Sequence, residues 1–154
     1  MKRVRHLFWS GAICIAIAAS AHGATGKIVK TLPHYLDLQG RHMLRPSLFE
    51  RDAYQNELKQ HPDRCSGMRF DVQWKAHQTT ATHPKLRLEV KGANLPPRKI
   101  EVIEIELKKP GFFSKWSGLA VTGADFKRIG AIQAWRVSLW DGDQMLSEQK
   151  SFLW

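Results

Sequence analysis

The clearest pattern in this 154-residue chain is an alternation of apolar and polar residues that begins at Met68. Successive side chains of a β-strand point to opposite faces, so an alternation of this kind predicts a half-buried strand. The first such segment is MRFDVQWKA (68–76), and its apolar positions are Met68, Phe70, Val72 and Trp74. The segment KLRLEVKG (85–92) alternates in the same way and predicts a second strand, with Leu86, Leu88 and Val90 facing inward.

A third strand is predicted within KIEVIEIELKKPG (99–111), where Ile103, Ile105 and Leu107 share one face. Ile100 and Val102 are out of phase with that set, and a β-bulge between Val102 and Ile103 would bring them onto the same face. The segment FFSKWSGLAVTG (112–123) predicts a short strand at about 116–121. We expect residues 125–129 to form a single turn or corner.

The last part of the chain predicts a β-hairpin that pairs 131–140 with 145–152 across the turn residues Asp141 and Gly142. The sequence WDGDQ fits a two-residue loop and a three-residue loop, so the register stays open. The expected inward residues are Trp135, Val137 and Leu139, and the expected outward residues are Arg136, Ser138 and Trp140.

One helix is predicted before these strands, at about 48–60. Ser47 and Glu50 have the spacing of a capping box, and Pro62 ends the segment. Its apolar residues recur at helical spacing, so we expect the helix to lie against the domain that follows. Upstream, KIVKTLPHYLDLQG (27–40) predicts a short strand before Pro33.

Six or seven short, mostly antiparallel strands predict a mainly β fold, and both sandwiches and barrels show this pattern. The segments GADFKRIG (123–130) and AWRVSLWDGDQMLSEQ (134–149) resemble the closing strands of immunoglobulin-like or fibronectin-III-like β-sandwiches. The chain also resembles exported bacterial proteins of unknown role. The resemblance implies a single antiparallel immunoglobulin-like β-sandwich preceded by one N-terminal α-helix. The chain departs from antibody domains because their paired core cysteines are missing, and the helix is an addition. Such a fold does not by itself decide an activity.

Residues 1–23 have the pattern of a secretory signal peptide. Three basic residues precede a 13-residue apolar core at 7–19, and small residues follow at ASAHGA, where cleavage fits after Ala21 or after Gly23. An uncleaved anchor is the alternative, although a bilayer-spanning helix needs roughly 20 apolar residues. Cys14 follows Ile13, where a lipoprotein signal would have a small residue. We therefore expect an exported protein, periplasmic or extracellular, with an N-terminal extension at 24–66 and the sandwich domain at 67–154.

The expected mature chain is basic and has a single cysteine. Removal of residues 1–23 takes away three of the cations behind the net charge of +10, which leaves 131 residues with a charge of +7. The remaining Lys and Arg residues are dispersed along the chain, which is typical of a solvated surface and is also compatible with attraction to an anionic glycan or lipid surface. Cys65 has no partner for an intramolecular disulfide, so we expect an incidental free thiol, with pairing to another chain and a nucleophilic role as alternatives.

The sequence predicts no catalytic residue, no metal site and no cofactor. His61, Asp63 and Cys65 are close in sequence, but Pro62 interrupts the helix that would bring them onto one face. His77 and His83 are the nearest approach to a metal-ligand pair, because no H-x₃-H or H-E-x-x-H spacing occurs. The acidic residues are explained by a solvated strand face and by a turn; these are Glu101, Glu104, Glu106, Asp141 and Asp143.

The candidate binding residues are aromatic and basic side chains expected at the surface: Trp116, Lys127, Arg128, Arg136, Trp140 and Trp154. Most other aromatic residues are at inward positions, so no nucleic-acid partner is expected, and no stable membrane insertion is expected after signal cleavage. Our first hypothesis is a non-enzymatic exported β-sandwich that acts through an unknown protein partner or as an envelope or extracellular component. The alternatives are a cationic binding module for anionic glycans or lipid head groups, and an enzyme whose site no motif exposes.

Overall fold

The computed structural model describes residues 23–79, 84–108, 110 and 113–154. The signal peptide predicted at 1–23 therefore lies almost wholly outside the described residues. Within these ranges the strands and helices are, in chain order, β1 (Thr25–Asp37), α1 (Leu48–Gln60), β2 (Cys65–His77), β3 (Lys85–Gly92), β4 (Glu101–Glu106), β5 (Lys115–Thr122), α2 (Gly123–Ile129), β6 (Ile132–Asp141) and β7 (Gln144–Lys150). A 3₁₀ turn, Pro62–Arg64, lies between α1 and β2. In this described part, no helix is long and apolar enough to cross a membrane.

The strands form two antiparallel sheets that pack face to face. Sheet A has the order β1-β2-β5, and sheet B has the order β4-β3-β6-β7. Along one flank β1 lies beside β7, where the backbone N–H of Ile28 donates to Ser147 Oγ at 3.1 Å. Along the other flank β4 and β5 make few contacts. The predicted mainly β sandwich is confirmed, with two differences: the strand before the predicted helix, β1, is part of the sandwich, and a second helix, α2, connects β5 to β6.

The core lies between the sheets and is built from the alternating residues that the sequence assigns to the inner faces. Phe70, Val72, Leu86 and Leu88 have no measurable exposure, and the ring of Trp135 meets Phe70 edge-on at 5.7 Å between centroids. Full burial of one such side chain stabilises the fold by about 1.5–3 kcal/mol relative to exposure. The inward positions predicted for β2, β3 and β6 are therefore confirmed.

Strand β1 is longer than the short strand predicted before Pro33. It pairs with β2 from Thr25↔His77 to Asp37↔Cys65 and passes through Pro33 without a break. Because β1 is an edge strand with a hydrogen-bonded neighbour on one side only, a residue without an N–H is tolerated there. The segment 24–66 is therefore more than an extension of the sandwich, since it contributes the edge of sheet A.

The β-bulge predicted between Val102 and Ile103 is wrong. The register of β3 and β4 runs without a shift from Val90↔Glu101 to Lys85↔Glu106. Val102 instead points outward and is 51% exposed, and Ile100 lies before the strand. A short edge strand leaves one valine at the surface at little cost, because isolated exposed apolar residues are common in folded proteins.

The closing hairpin settles the register that the sequence left open. Asp141 pairs with Gln144, so the loop has two residues, Gly142 and Asp143. Gly142 has a positive φ of +59°, and Asp143 does not. A positive φ at the first central residue alone, occupied here by glycine, is the pattern of a type II′ turn. A register shift after Leu139 turns Leu146 toward the core.

Helix α1 is confirmed at the predicted residues, but its apolar side chains are placed differently. The backbone N–H of Glu50 donates to Ser47 Oγ at 3.5 Å, as a helix N-cap requires, and the helix ends before Pro62. Leu58 is buried, whereas Leu48 and Phe49 are 65% and 83% exposed. The predicted apolar stripe therefore docks only through its C-terminal part, and its first turn faces solvent.

Candidate functional site

The six residues of the predicted binding patch lie on three separate surfaces. Arg136 and Trp140 point outward from β6, and the C-terminal Trp154 lies on the same face of sheet B. Trp116 is on β5 at the edge of sheet A. Lys127 and Arg128 are on α2. The structure brings Arg136 and Trp154 into contact, with the guanidinium carbon 5.1 Å from the ring centroid, and it does not bring the six together.

The outer face of sheet B pairs most of its own charges. Arg136 donates to both carboxylate oxygens of Glu89, at 2.6 and 2.9 Å, and this hydrogen bonding raises the pKa of the arginine. The guanidinium of Arg87 stacks 4.9 Å from the Trp140 centroid and also pairs with Glu104. Because Arg136 already donates to both oxygens of one carboxylate, it has little remaining capacity for an external anion.

A shallow groove on the outer face of sheet A is a different case. We call it the sheet-A groove, and its lining residues are Leu32, His34, His42, Met43, Arg51, Arg69, Asp71 and Trp116. Three strands, α1 and the loop between β1 and α1 all contribute to it. Its indole, Trp116, is 52% exposed. Ionisable and aromatic side chains from distant parts of the sequence converge here.

The antiparallel register explains why these side chains meet. His34 lies opposite Arg69, and Asp71 lies opposite Gly118 on the next strand, so all face outward. A Cβ atom on Gly118 would lie 2.9 Å from Arg69 Nε. The glycine therefore leaves room for the arginine side chain to lie across β5 toward the aromatic wall at Trp116.

The loop from β1 to α1 is tied down by two side chains of the helix. Tyr54 donates its hydroxyl to Asp37 Oδ2 at 2.6 Å. The Gln55 amide accepts from the Tyr35 N–H at 2.7 Å and donates to the carbonyl oxygens of Tyr35 and His42, at 2.9 and 2.7 Å. These bonds satisfy part of the free edge of β1 and fix the backbone of His42 at the rim of the sheet-A groove.

Both arginines of the sheet-A groove are paired with a carboxylate, since Arg51 also contacts Asp52 at 3.3 Å. Arg69 Nε donates to Asp71 Oδ1 at 2.8 Å, and His34 Nε2 lies 3.8 Å from Asp71 Oδ2. The His34 and His42 rings are 5.0 Å apart. Burial, followed by the charge of His42, lowers the pKa of His34, while Asp71 opposes the shift. The groove thus combines two arginines, two histidines and one carboxylate around an exposed indole.

A second concavity, which we call the end cleft, lies where α1, the 3₁₀ turn and α2 meet. It has a volume of about 340 Å³, and its lining residues are Tyr35, Leu58, Lys59, Pro62, Asp63, Cys65, Phe126, Lys127, Gly130 and Ala131. The Cys65 thiol faces the carbonyl oxygens of Leu58 and His61, at 3.2 and 3.8 Å. Burial, followed by the charge of Asp63, raises the pKa of Cys65, which disfavours the thiolate that a nucleophile needs.

The other candidate groups of the sequence have ordinary surroundings. Glu101 pairs with Lys99 and Arg128, and Glu104 pairs with Lys85 and Arg87, as expected of solvated carboxylates beside basic residues. No group of three or more His, Cys, Asp or Glu in the described ranges is arranged to bind a metal ion. Of the suggested pair of His77 and His83, His83 lies outside those ranges.

Sequence reasoning identified Trp116 but missed the sheet-A groove around it. The outward phase of Arg69 and Asp71 was visible in the alternation of β2, whereas the pairing of His34 with Arg69 was not.

No protein-family model matches this chain, and no curated protein matches it.

Proposed function

We propose that this chain is an exported, non-enzymatic β-sandwich that binds acidic glycans through the sheet-A groove. The observation that carries the proposal is the exposed Trp116 indole beside a wall of two arginines and two histidines. Export rests on the signal-peptide pattern of residues 1–23. The raised pKa of Cys65 supports the non-enzymatic part, because it disfavours the thiolate form that a catalytic cysteine needs.

The strand order supports the immunoglobulin-like interpretation of the sandwich. If the strands β1 to β7 are given immunoglobulin letters in chain order, they become A, B, C, C′, E, F and G. The three-stranded sheet then has the order A-B-E, and the four-stranded sheet has the order C′-C-F-G. This arrangement matches the sheets of immunoglobulin-like domains apart from the absent strand D. Such domains serve many roles, so the ligand must be inferred from the surface chemistry.

The side chains of the sheet-A groove are complementary to a sugar acid. An exposed indole offers a flat apolar face on which a pyranose ring can stack. Arg51 and Arg69 each contact a single carboxylate oxygen, of Asp52 and Asp71. Their remaining N–H groups can donate to a carboxylate or sulfate of a ligand, which a guanidinium does better than an ammonium. Asp71 can accept hydrogen bonds from sugar hydroxyl groups. Together these groups favour a charged saccharide over a neutral one.

Glycan binding should depend on pH through His34. Its pKa is below the ordinary 6.5, so the side chain is mainly neutral at pH 7 and takes up a proton as the pH falls. An anionic ligand in the groove favours the protonated imidazole, so affinity should increase below about pH 6.5. A ligand recognised through a carboxylate of the protein would instead bind more weakly as the pH falls.

The proposal is tested by calorimetry with an acidic oligosaccharide, oligogalacturonate, and with a neutral dextran oligosaccharide. We expect saturable binding of oligogalacturonate alone, weaker at high salt. Trp116→Ala should reduce the affinity at least tenfold. Trp154→Ala, which removes an indole from sheet B, is the matched control and should have no effect. Equal losses in the two variants, or binding insensitive to salt, would exclude the sheet-A groove as the site.

A protein partner is the second candidate function, because three apolar side chains are exposed in the first turn of α1 and the loop before it. Leu44, Leu48 and Phe49 are 57%, 65% and 83% exposed. Adjacent exposed apolar residues often mark a protein interface. Crosslinking in the native envelope, with Phe49→Ser as the variant, tests this function. Loss of a crosslinked partner with unchanged oligogalacturonate binding would assign partner binding to α1.

A further inference from the structure

The end cleft is spatially distinct from the sheet-A groove. It lies between the last turn of α1, the 3₁₀ turn and the end of α2, at one end of the sandwich. Its volume of about 340 Å³ is at the lower end of the range for small-molecule sites. This size suits a compact ligand and is too small for a long lipid chain.

The walls of the end cleft are largely apolar. Leu58 is 2% exposed and forms part of its floor, while Phe126 is half-buried and packs against the core. Pro62 and Ala131 complete an apolar surface at its opening. An apolar portion of a ligand would therefore lose water when it enters, which favours binding by the hydrophobic effect.

Two cations stand at the opening of the end cleft without partners. Lys59 and Lys127 both line it, and neither forms an ion pair with any residue in the described part of the chain. Most of the arginines are paired instead, as with Arg64 and Glu57 at 2.6 Å. Asp63 is also at the opening, so two cations and one carboxylate leave a net positive charge there.

We infer that the end cleft binds a medium-chain fatty acid, with its carboxylate between Lys59 and Lys127 and its alkyl chain on Leu58 and Phe126. The charge of the two lysines sets the requirement for an anion, and the apolar walls set the requirement for a hydrocarbon. The Tyr35 hydroxyl, which makes no hydrogen bond among the described residues, lines the same cleft and can donate to the carboxylate.

The test uses the full chain with Cys14→Ser, so that Cys65 is its only thiol, and octanoate as the probe. Calorimetry should detect saturable binding of octanoate and weaker binding of octanol. Bound octanoate should slow the alkylation of Cys65 by iodoacetamide, because the thiol lines the end cleft. Absence of saturation, or unchanged alkylation at saturating octanoate, would overturn the inference.

Two variants separate the charge from the cavity. The double variant Lys59→Gln/Lys127→Gln should weaken octanoate binding at least tenfold and leave octanol binding unchanged. The charge control is Lys75→Gln, because Lys75 is an exposed lysine on β2, away from the end cleft. Ala131→Trp should fill the end cleft and abolish both interactions at an unchanged melting temperature. Retained octanoate affinity in either variant would contradict the assignment. Oligogalacturonate binding should survive in both, since it belongs to the other surface.

Discussion

Asp37 ends β1, and its carboxylate holds the loop that leads to the sheet-A groove. The residue is 4% exposed, and its carboxylate accepts hydrogen bonds from the backbone N–H groups of Gln39 and Arg41, at 2.9 and 2.8 Å. It also accepts from the Arg41 guanidinium at 2.9 Å and from the Tyr54 hydroxyl at 2.6 Å. Asp37→Asn removes the charge and replaces one acceptor atom with a donor, so at least one of these bonds must break.

The magnitude follows from the pKa of Asp37. Burial alone would raise this pKa, but the hydrogen bonds from Tyr54, Arg41 and Gln39 outweigh burial and lower it from 3.8 to about 2. A difference of this size corresponds to about 2 kcal/mol in the free energy of unfolding. The Arg41 side chain is 54% exposed, so solvent screens its contribution and 2 kcal/mol is an upper value.

Urea denaturation at pH 7 measures the effect. We expect Asp37→Asn to lower the free energy of unfolding by about 1–2 kcal/mol at an unchanged m-value, whereas Asp63→Asn, at an exposed aspartate, should change it little. The folded pKa lies below the unfolded one, so this stability is present above about pH 4 and is lost as the pH falls toward 2. The reasoning is refuted if the variant unfolds like the wild type, or if both proteins lose stability equally between pH 4 and pH 2.

Three other predictions concern residues of the core and the sheet-A groove. Because folding lowers the pKa of His34, the neutral imidazole stabilises the fold above about pH 6.5, and this stabilisation is lost as the pH falls. His34→Gln should therefore make the melting temperature less dependent on pH below about pH 6.5. Ser117→Ala leaves the buried Trp74 indole N–H, which donates to Ser117 Oγ at 2.9 Å, without its partner, and should cost about 1–3 kcal/mol in urea denaturation. Gly92→Ala places a Cβ well inside the van der Waals distance of the Ile129 carbonyl oxygen, so the melting temperature should fall sharply, and an unchanged value would show that the strand end relaxes freely.

Strands β2 and β3 could be predicted because each buries a single face. Alternation is the direct consequence of that burial, so the spacing of residues such as Phe70 and Leu88 is enough to identify the core. Helix α1 was equally predictable, since Ser47 and Pro62 act through local backbone chemistry. In both cases the physical cause lies within a few residues of the feature it produces.

The remaining features depend on pairing between distant segments. Pro33 concealed the length of β1, because its tolerance depends on the strand being at an edge. The alternation places Trp140 outward and the sequence favours a surface position for Trp116, yet neither observation tells which sheet each residue belongs to. The sheet-A groove needs His34 opposite Arg69 and the Gln55 bonds across the loop. None of these relations leaves a local signal in the sequence.

The two flanks of the sandwich are closed unequally, which bears on how the protein fluctuates. Strand β1 lies along β7 and shares the bond from Ile28 to Ser147, whereas β4 has six residues and barely touches β5. Local unfolding begins where few buried contacts must be lost, so the backbone amides of β4 should exchange with solvent faster than those of β2. Glu104 and Glu106 point outward on β4, and charged side chains on an exposed edge discourage the addition of a foreign strand. The loosely held flank is thereby protected from aggregation during each transient opening.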